Sequence, residues 1–248
     1  MLRIGGFVDT STVDWYGNVS LIVFFAGCNF RCPYCQNSGL IPMDSGREVG
    51  ADVLRERIEI SRSLIDSVVF TGGEPLLQGG LLEASSVVKE LGRELMIDTN
   101  GSVPRTLEPI IKSSLVDRVA LDVKAPLRPS DYARTIGLEN AGAIVEGIRR
   151  TLRLCETHGI EIEARTTVAP NISDDANFIR EIARDIRGRC DVYYLQQFDN
   201  TGEVLSPELK RMKPPTRKLM MELAAVALEE GVENVCIKTR EMGLERVR

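Results

Sequence analysis

The chain carries the stretch Ala26-Gly27-Cys28-Asn29-Phe30-Arg31-Cys32-Pro33-Tyr34-Cys35, in which three cysteines have a Cys-x3-Cys-x2-Cys spacing. This loop directly follows the apolar run Leu21–Phe25, which predicts a buried strand that turns at Gly27. Three thiolates on one short loop can converge on a soft metal centre, which favours an iron–sulfur cluster or zinc. Because four-iron clusters usually take four cysteines, a cluster held here would leave one iron open to another ligand.

Structural zinc is the alternative to a cluster, and it normally takes four cysteine or histidine ligands. The single histidine, His158, is far from the loop in sequence, so the fourth ligand would have to be Cys155, Cys190 or Cys236. We expect these three cysteines to be buried as small apolar residues in or beside predicted helices and strands. Zinc would then lack its fourth ligand.

Composition and charge limit the class of protein. With 248 residues, of which 43% are hydrophobic, the chain can bury a core and is predicted to form a single domain over 1–248. The 31 basic and 36 acidic residues give a net charge of -5, which argues against a general nucleic-acid binder. The sequence shows neither a secretory signal nor a transmembrane run, and its cysteines suit a reducing compartment. We expect a cytoplasmic protein.

Strand-like and helix-like patterns alternate beyond the cysteine loop. Strands are predicted at 21–25, 66–70, 95–97, 119–123, 160–168 and 192–198, with a seventh at 234–238. The last predicted helix has Thr216 as a candidate N-cap and an apolar stripe of Leu219, Leu223 and Val226. Such alternation indicates parallel strands joined by right-handed crossovers. The predicted fold is α/β, an incomplete (βα)6-type TIM barrel rather than the closed eight-unit barrel.

Polar stretches come where the predicted strands end, and parallel α/β barrels have their active sites at this end of the strands. Besides the cysteine loop, these stretches are Thr71-Gly72-Gly73-Glu74-Pro75, Asp98-Thr99-Asn100-Gly101, Asp122-Val123-Lys124, Arg165-Thr166-Thr167 and Gln196-Gln197. A glycine pair allows close approach to a ligand, although an ordinary tight turn would also explain it. Asp98 and Asp122 could share a cation or proton, or could each cap a helix. Lys124 suits a ligand carboxylate or an ion pair with a neighbouring aspartate.

Two of these stretches resemble the motifs of the radical S-adenosylmethionine (radical SAM) enzymes. The loop Cys28, Cys32 and Cys35, with Tyr34 before the last cysteine, resembles the family's signature loop, and Gly72-Gly73-Glu74-Pro75 resembles its second motif. The resemblance implies that the three cysteines hold a [4Fe-4S] cluster whose fourth iron is chelated by SAM. It also implies that the second motif binds the methionine amino group and that Tyr34 abuts the adenine. Reductive cleavage of SAM would give a 5′-deoxyadenosyl radical that removes a hydrogen atom.

Further stretches are similar to those of the glycyl-radical enzyme activating enzymes. By that resemblance Asp98, Thr99 and Asn100 serve SAM binding, Asp98, Thr99 and Asp122 hold a monovalent cation, and Lys124 binds the methionine carboxylate. Arg165 resembles an arginine near the methionine or the substrate, with a solvent-facing strand residue as the alternative. Gln197 is a candidate for the adenine or substrate pocket. Activating enzymes often carry a histidine in this region and another after the last cysteine, where this chain has Gln36.

Over most of its length the chain resembles the activating proteins of anaerobic ribonucleoside-triphosphate reductase, from Val13-Asp14-Trp15-Tyr16-Gly17 to Lys238-Thr239-Arg240-Glu241. The resemblance implies that the hydrogen atom comes from a backbone glycine of a partner glycyl-radical enzyme. It also implies an electron donor such as ferredoxin or flavodoxin.

Three alternatives remain open from the sequence. Thr71–Gln78 is also very similar to a stretch of the 7-carboxy-7-deazaguanine synthases, which act on a small molecule. A radical enzyme that modifies tRNA or protein is another alternative, although the charge balance does not favour RNA. A non-catalytic iron–sulfur or zinc protein is the third, and it would leave Lys124, Asp98 and Arg165 without a shared purpose.

Overall fold

The computed structural model describes residues 1–247, and over that range it contains ten strands and eight α-helices. The strands are β1 (Leu2–Ser11), β2 (Ser20–Phe25), β3 (Arg47–Val49), β4 (Ser67–Gly72), β5 (Glu94–Thr99), β6 (Arg118–Asp122), β7 (Glu161–Val168), β8 (Val192–Gln197), β9 (Val235–Thr239) and β10 (Gly243–Val247). The helices are α1 (Ala51–Ser61), α2 (Leu81–Glu90), α3 (Pro104–Lys112), α4 (Pro129–Ile136), α5 (Gly142–His158), α6 (Ala176–Ile186), α7 (Pro207–Lys210) and α8 (Arg217–Glu229). Short 3-10 turns lie at Ser38–Leu40 and Pro75–Leu77.

The chain forms two compact units, and neither is a continuous segment. The first unit consists of residues 1–29, 39–120 and 150–161, and the second of residues 30–38, 121–149 and 162 onward. The boundaries fall within β6, within α5 and within the cysteine loop, so Cys28 belongs to the first unit and Cys32 and Cys35 to the second. The single domain expected over 1–248 stays a prediction.

The first unit contains the strand order β5-β4-β2-β1-β3. β2 runs parallel to β4, and β4 runs parallel to β5, whereas β1 is antiparallel to both of its neighbours. Phe25, the last residue of β2, lies opposite Gly72 at the end of β4. This register brings the start of the cysteine loop beside the Gly72-Gly73 turn.

The second unit contains the order β6-β7-β8-β9-β10. β7, β8 and β9 are parallel, and β10 returns antiparallel to β9. The register aligns Thr167 with Gln196, and Gln196 with Lys238. These three residues therefore lie side by side on one face of the sheet, at the carboxyl ends of their strands.

The predicted α/β fold, with mainly parallel strands in a sheet that does not close, is confirmed. β3 and β10 each pair with a single strand, so they are open edges. All seven predicted strands are present, with ends shifted by no more than a few residues. The sequence patterns did not predict β1, β3, β10, α4 or α7. β1 contains Gly5-Gly6 and a polar end, so it lacks the apolar alternation by which strands are recognised.

Each unit has apolar side chains buried against its strands. In the first unit the rings of Phe25 and Phe70 meet edge to face, with centroids 5.2 Å apart. In the second unit α8 buries Met220, Leu223, Ala224 and Ala227. Since the prediction named Leu219, Leu223 and Val226, the buried face is centred one residue later than expected. No helix within residues 1–247 combines the length and apolar character needed to span a membrane.

The predicted N-cap of α8 is confirmed, because the Thr216 hydroxyl accepts a hydrogen bond from Leu219 N at 3.3 Å. We expect Thr216→Ala to lower the free energy of unfolding by about 1 kcal/mol, since the amide would lose its side-chain acceptor. Thr216→Ser keeps the hydroxyl and should stay near wild type. Urea unfolding followed by circular dichroism measures both changes, and equal losses in the two variants would contradict the capping role.

Candidate active site

The first unit fixes the entry to the cysteine loop. After β2, Gly27 N donates to Leu40 O at 2.7 Å and Cys28 N donates to Ile41 O at 3.1 Å. Gly27 has a φ of +91°, a conformation that L side chains rarely adopt. The main chain of 40–41 therefore positions the backbone of Cys28, which is itself half-buried.

The Gly72-Gly73 turn packs against the same backbone. Gly73 N donates to Phe25 O and Glu74 N donates to Gly27 O, both at 2.8 Å. A Cβ on Gly73 would lie 2.3 Å from Gly27 O, and a Cβ on Gly72, whose φ is +110°, would lie 2.5 Å from Phe25 O. From the sequence, these glycines were predicted to allow close approach of a ligand, with an ordinary tight turn as the alternative. The chain's own main chain already requires both of them.

Glu74 is fully buried, and its carboxylate accepts hydrogen bonds from three neighbours. Oε1 accepts from Leu76 N at 3.0 Å and from the Thr99 hydroxyl at 2.7 Å, while Oε2 accepts from Asn100 N at 2.7 Å. Pro75 begins the 3-10 turn that presents Leu76 N. One buried carboxylate therefore joins the end of β4 to the end of β5.

Two residues that the sequence analysis did not select extend this network. Asn100 Nδ2 donates to Asn29 Oδ1 at 3.0 Å, and Asn29 Nδ2 donates to the Ser102 hydroxyl at 2.8 Å. Asn29 directly follows Cys28, so the end of β5 also positions the cysteine loop within the first unit. Their sequence signal was weak because Asn and Ser are common in any loop.

In the second unit, residues 30–38 are tied down by main-chain hydrogen bonds. Cys35 N donates to Cys32 O at 3.0 Å, which closes a tight turn between the two cysteines. Ser206 N donates to Pro33 O at 2.8 Å, and Leu205 N donates to Cys35 O at 3.1 Å. The loop is therefore supported by the segment that leads into α7.

Lys124 is the central cation of this part of the second unit. Its ammonium lies 2.8 Å from Asp122 Oδ2 and 5.9 Å from the ring centroid of Tyr34. Its main-chain N–H donates to the Tyr132 hydroxyl at 3.0 Å. Lys124 lies two residues beyond Asp122, the last residue of β6, and the two form an ion pair, which is one of the two roles expected for Lys124 from the sequence.

Burial and neighbouring charges shift the pKa values of these groups in opposite directions. Burial raises the pKa of the Cys32 thiol to about 11, although the nearby Lys124 charge acts to lower it. Burial likewise raises the pKa of the Cys35 thiol and, well above its usual range, that of the Tyr34 phenol. Burial alone would lower the pKa of Lys124, but its attraction to Asp122 holds that pKa well above the usual range. Lys124 is therefore a permanent cation, and a metal centre would have to displace protons from the thiols.

Arg165 is buried rather than solvent-facing, with about 9% of its surface exposed. Its Nε donates to Glu163 Oε1 at 2.6 Å, and both residues are on the same face of β7. Glu163 was not selected from the sequence, because a lone acidic residue at the start of a strand carries no signal. An unpaired charge at this depth would be costly, so the pair fixes the arginine.

Gln197 uses its whole carboxamide to join two loops. Nε2 donates to Pro215 O at 2.7 Å, and Oε1 accepts from Arg240 N at 2.8 Å. The residue lines a pocket, but its polar atoms hold the segments around Pro215 and Arg240 in place. Its predicted contact with adenine or substrate stays a prediction.

The cysteine loop offers the kind of ligand that an iron–sulfur cluster takes, since it carries three thiols, and their binding of a cluster stays a prediction. All six cysteines are free thiols, and three of them lie on this one loop. The Tyr34 hydroxyl is buried and makes no hydrogen bond within residues 1–247, so a bound group could supply its partner. Cys155 and Cys236 are buried as predicted, but the prediction is wrong for Cys190, which is half-buried with its thiol 3.7 Å from Ile186 O.

Two of the three residues predicted to hold a monovalent cation, Thr99 and Asp122, already have partners within the protein. Within residues 1–247, no three His, Cys, Asp or Glu side chains are grouped to bind a single metal ion. The Thr99 hydroxyl donates to Glu74 and accepts from Gly101 N. Asp122 is paired with Lys124, and Asp98 is half-buried in β5. The cation therefore stays a prediction.

Comparison with known proteins assigns the family. The family model of the radical SAM superfamily matches residues 22–186, which is more than half of the chain. The chain belongs to the radical SAM superfamily. A crystal structure of a radical SAM methyltransferase from Sphaerobacter thermophilus shares this fold, with a TM-score of 0.71 over 90% of this chain and 67% of that chain, at 16% sequence identity.

Three similar proteins have names that describe two different kinds of enzyme. A Methanocaldococcus jannaschii protein, provisionally named a glycyl-radical enzyme activating enzyme, is 32% identical over 238 residues, or 95% of both chains. The pyruvate formate-lyase-activating enzyme of Clostridium pasteurianum is 31% identical over 75% of this chain and 77% of its own. A 7-carboxy-7-deazaguanine synthase of Hyperthermus butylicus is 36% identical, but over 49% of this chain and 54% of its own.

The glycine turn yields a test of local packing. We expect Gly73→Ala to lower the free energy of unfolding by about 2–4 kcal/mol, because its Cβ would meet a backbone oxygen that cannot move alone. Gly79→Ala is the matched control, since a Cβ on Gly79 meets nothing within 4 Å. Urea unfolding of both variants measures the difference. A Gly73→Ala variant as stable as Gly79→Ala would show that the turn is not closely packed.

The buried carboxylate yields a second test. We expect Glu74→Gln to destabilise the protein by about 2–4 kcal/mol, because either orientation of the amide sets an NH2 group against a main-chain N–H. Glu83→Gln is the control, because Glu83 is exposed on α2. Thermal unfolding of the two variants distinguishes them, and equal midpoints would exclude the proposed hydrogen-bond role of Glu74.

Proposed function

We propose that this radical SAM protein is a glycyl-radical enzyme activating enzyme that acts on a partner of the anaerobic ribonucleotide reductase type. The observation that carries the proposal is the similarity to the M. jannaschii relative, which extends over 95% of both chains. A similarity of this extent covers nearly the whole chain rather than one motif. The match to a pyruvate formate-lyase-activating enzyme supports the same reaction class.

Cys28, Cys32 and Cys35 would hold a [4Fe-4S] cluster, which belongs to the family's chemistry and which these thiols fit. When bound, the cluster would give one electron to SAM, which splits into methionine and a 5′-deoxyadenosyl radical that takes a hydrogen atom from the glycine α-carbon. The protein supplies binding, orientation and exclusion of water.

The other side chains have separate roles in this proposal. Lys124, held as a cation beside Asp122, would bind the methionine carboxylate. The main chain of Gly72-Gly73 would meet the amino group, while Glu74 keeps that turn in place. Arg165, fixed by Glu163, would lie near the methionine or the substrate, and Tyr34 near the adenine.

The proposed reaction also requires an electron donor and a reducing compartment. The electron would come from a donor such as ferredoxin or flavodoxin, and the reaction would be anaerobic. The six free thiols agree with a reducing, cytoplasmic location. A monovalent cation near Asp98, Thr99 and Asp122 would require Lys124 to move from Asp122 or to share it.

A 7-carboxy-7-deazaguanine synthase-like activity is the second candidate, since such an enzyme is 36% identical over about half of the chain. The shared stretch Thr71–Gln78, however, has a structural explanation. Gln78 Nε2 donates to Ala26 O at 2.7 Å, and Gln78 Oε1 accepts from Arg3 N at 2.9 Å. Residues that build the turn carry no information about the substrate, so this likeness does not favour the small-molecule reaction.

The first experiment measures SAM cleavage. Protein reconstituted anaerobically with iron and sulfide is reduced with dithionite, and 5′-deoxyadenosine is measured with SAM present. We expect product from the wild type and from Cys155→Ala, but at least a hundredfold less from Cys32→Ala, because a cluster lacking one thiolate is lost or inactive. Cys155 is a matched control because it is buried in α5, outside the loop.

The second experiment identifies the target. The reduced protein is incubated with SAM and candidate glycyl-radical enzymes, and the partner is examined by EPR. A glycine-centred radical that depends on SAM and on Cys32 would support the proposal. Cleavage of SAM with no glycine-centred radical on any candidate partner would contradict it.

A further inference from the structure

A pocket of about 760 Å³ lies entirely within the second unit, at the carboxyl ends of β7, β8 and β9. The adjoining segments 198–202 and 214–217 complete its walls. Thr167, Gln196 and Lys238 line it and are direct neighbours across three strands. They form a row of polar side chains at the strand ends.

This pocket adjoins groups that the proposed function already uses. Thr167 lies two residues beyond Arg165 on the same face of β7. Gln36, which follows Cys35 directly, also lines the pocket, and its Nε2 donates to Asp199 O at 3.0 Å. The pocket therefore lies against the second-unit part of the cysteine loop.

Among the neutral polar side chains that line the pocket, all but two have a hydrogen-bond partner within residues 1–247. Gln197 joins two loops, and the Thr201 hydroxyl donates to Asp199 Oδ1 at 2.8 Å. In contrast, the Gln196 carboxamide and the Thr167 hydroxyl make no hydrogen bond to any group in residues 1–247. Half-buried polar groups without protein partners at the floor of a pocket are suited to binding a polar ligand.

The charges around the pocket favour an uncharged ligand. Lys238 and Arg240 line it together with Asp199 and Glu241, so basic and acidic groups balance. The fifth charged residue of the pocket lining, Arg217, forms an ion pair with Glu245, in which Nη2 lies 2.6 Å from Oε1. A phosphate or a polycarboxylate would find no excess of positive charge here.

We propose that Gln196 and Thr167 bind the main-chain amide of the polypeptide segment that contains the target glycine. Glycine has no side chain, so the target residue itself can form hydrogen bonds only through its main chain. A carboxamide presents one donor group and one acceptor, the complement of a peptide N–H and C=O. This inference rests on the proposed function and assigns residues that would bind its substrate.

The test uses acetyl-Gly-Gly-Gly-amide, deuterated at its α-carbons, as a peptide without side chains. Reconstituted protein receives dithionite, SAM and this peptide, and mass spectrometry measures total 5′-deoxyadenosine and its deuterated fraction. Dithionite supplies the electron, SAM yields methionine and 5′-deoxyadenosine, the deuterium moves from the α-carbon to the 5′ carbon, and the glycine keeps the unpaired electron. Isothermal titration of the peptide into the same protein measures binding without turnover.

We expect Gln196→Leu to raise the peptide concentration for half-maximal deuterium transfer, and the dissociation constant, by about tenfold, since one hydrogen-bonding partner is lost. Thr167→Val should have a smaller effect in the same direction. Total 5′-deoxyadenosine should stay within about twofold of wild type, because SAM cleavage does not use these groups. Thr201→Val is the matched control, since Thr201 lines the pocket with its hydroxyl already occupied.

Four results would overturn the inference. Unchanged peptide binding in Gln196→Leu would exclude the assigned contact, and a parallel loss of total 5′-deoxyadenosine would assign the pocket to SAM. If the wild type takes no deuterium from the peptide yet forms a glycyl radical on a partner, the pocket assignment fails and the proposed function stands. If the wild type cleaves SAM but gives neither deuterated 5′-deoxyadenosine nor a glycyl radical on a partner, the pocket assignment and the proposed function both fail.

Discussion

The buried carboxylate of Glu74 is the constraint on which the first unit's loops depend. A buried carboxylate is tolerated only when its oxygens accept hydrogen bonds. The donors to Glu74 come from the 3-10 turn that begins at Pro75 and from the end of β5. The ends of β4 and β5 must therefore keep a fixed position relative to each other. Since Asn100 also holds Asn29, that placement extends to the residue beside Cys28.

The second unit solves a different electrostatic problem. Lys124 is surrounded by groups that burial would keep neutral, and the carboxylate of Asp122 keeps it charged. Arg165 has the same arrangement with Glu163. In each pair the carboxylate belongs to the residue two positions earlier in the sequence, and it balances the positive charge of the lysine or arginine. Strand geometry thus places, within one segment, both a buried cation and the anion that stabilises it.

The fold and the set of strand-end residues could be predicted because both follow from local pattern. Apolar runs located the parallel strands, and the polar residues after each run had to come together at one edge of each set of strands. The antiparallel β1 could not be found this way, because Gly5-Gly6 interrupts its pattern and its pairing with β2 depends on distant residues. The glycines at 72 and 73 were found for a partly different reason, since their tight contact is with Phe25 and Gly27.

What the sequence could not reveal is which polar side chains remain available after folding. Gln196 and Gln197 are adjacent and chemically identical, yet one carboxamide is fully occupied by Pro215 and Arg240 while the other faces a pocket. That difference arises from strand register and loop closure, which involve Pro215 and Arg240, 18 and 43 positions from Gln197. Motif similarity alone selected Gln197 rather than Gln196. Counting donors and acceptors separates a residue that holds the loops from one that can still bind a substrate, and this separation makes Gln196 the more informative position for the specificity of the reaction.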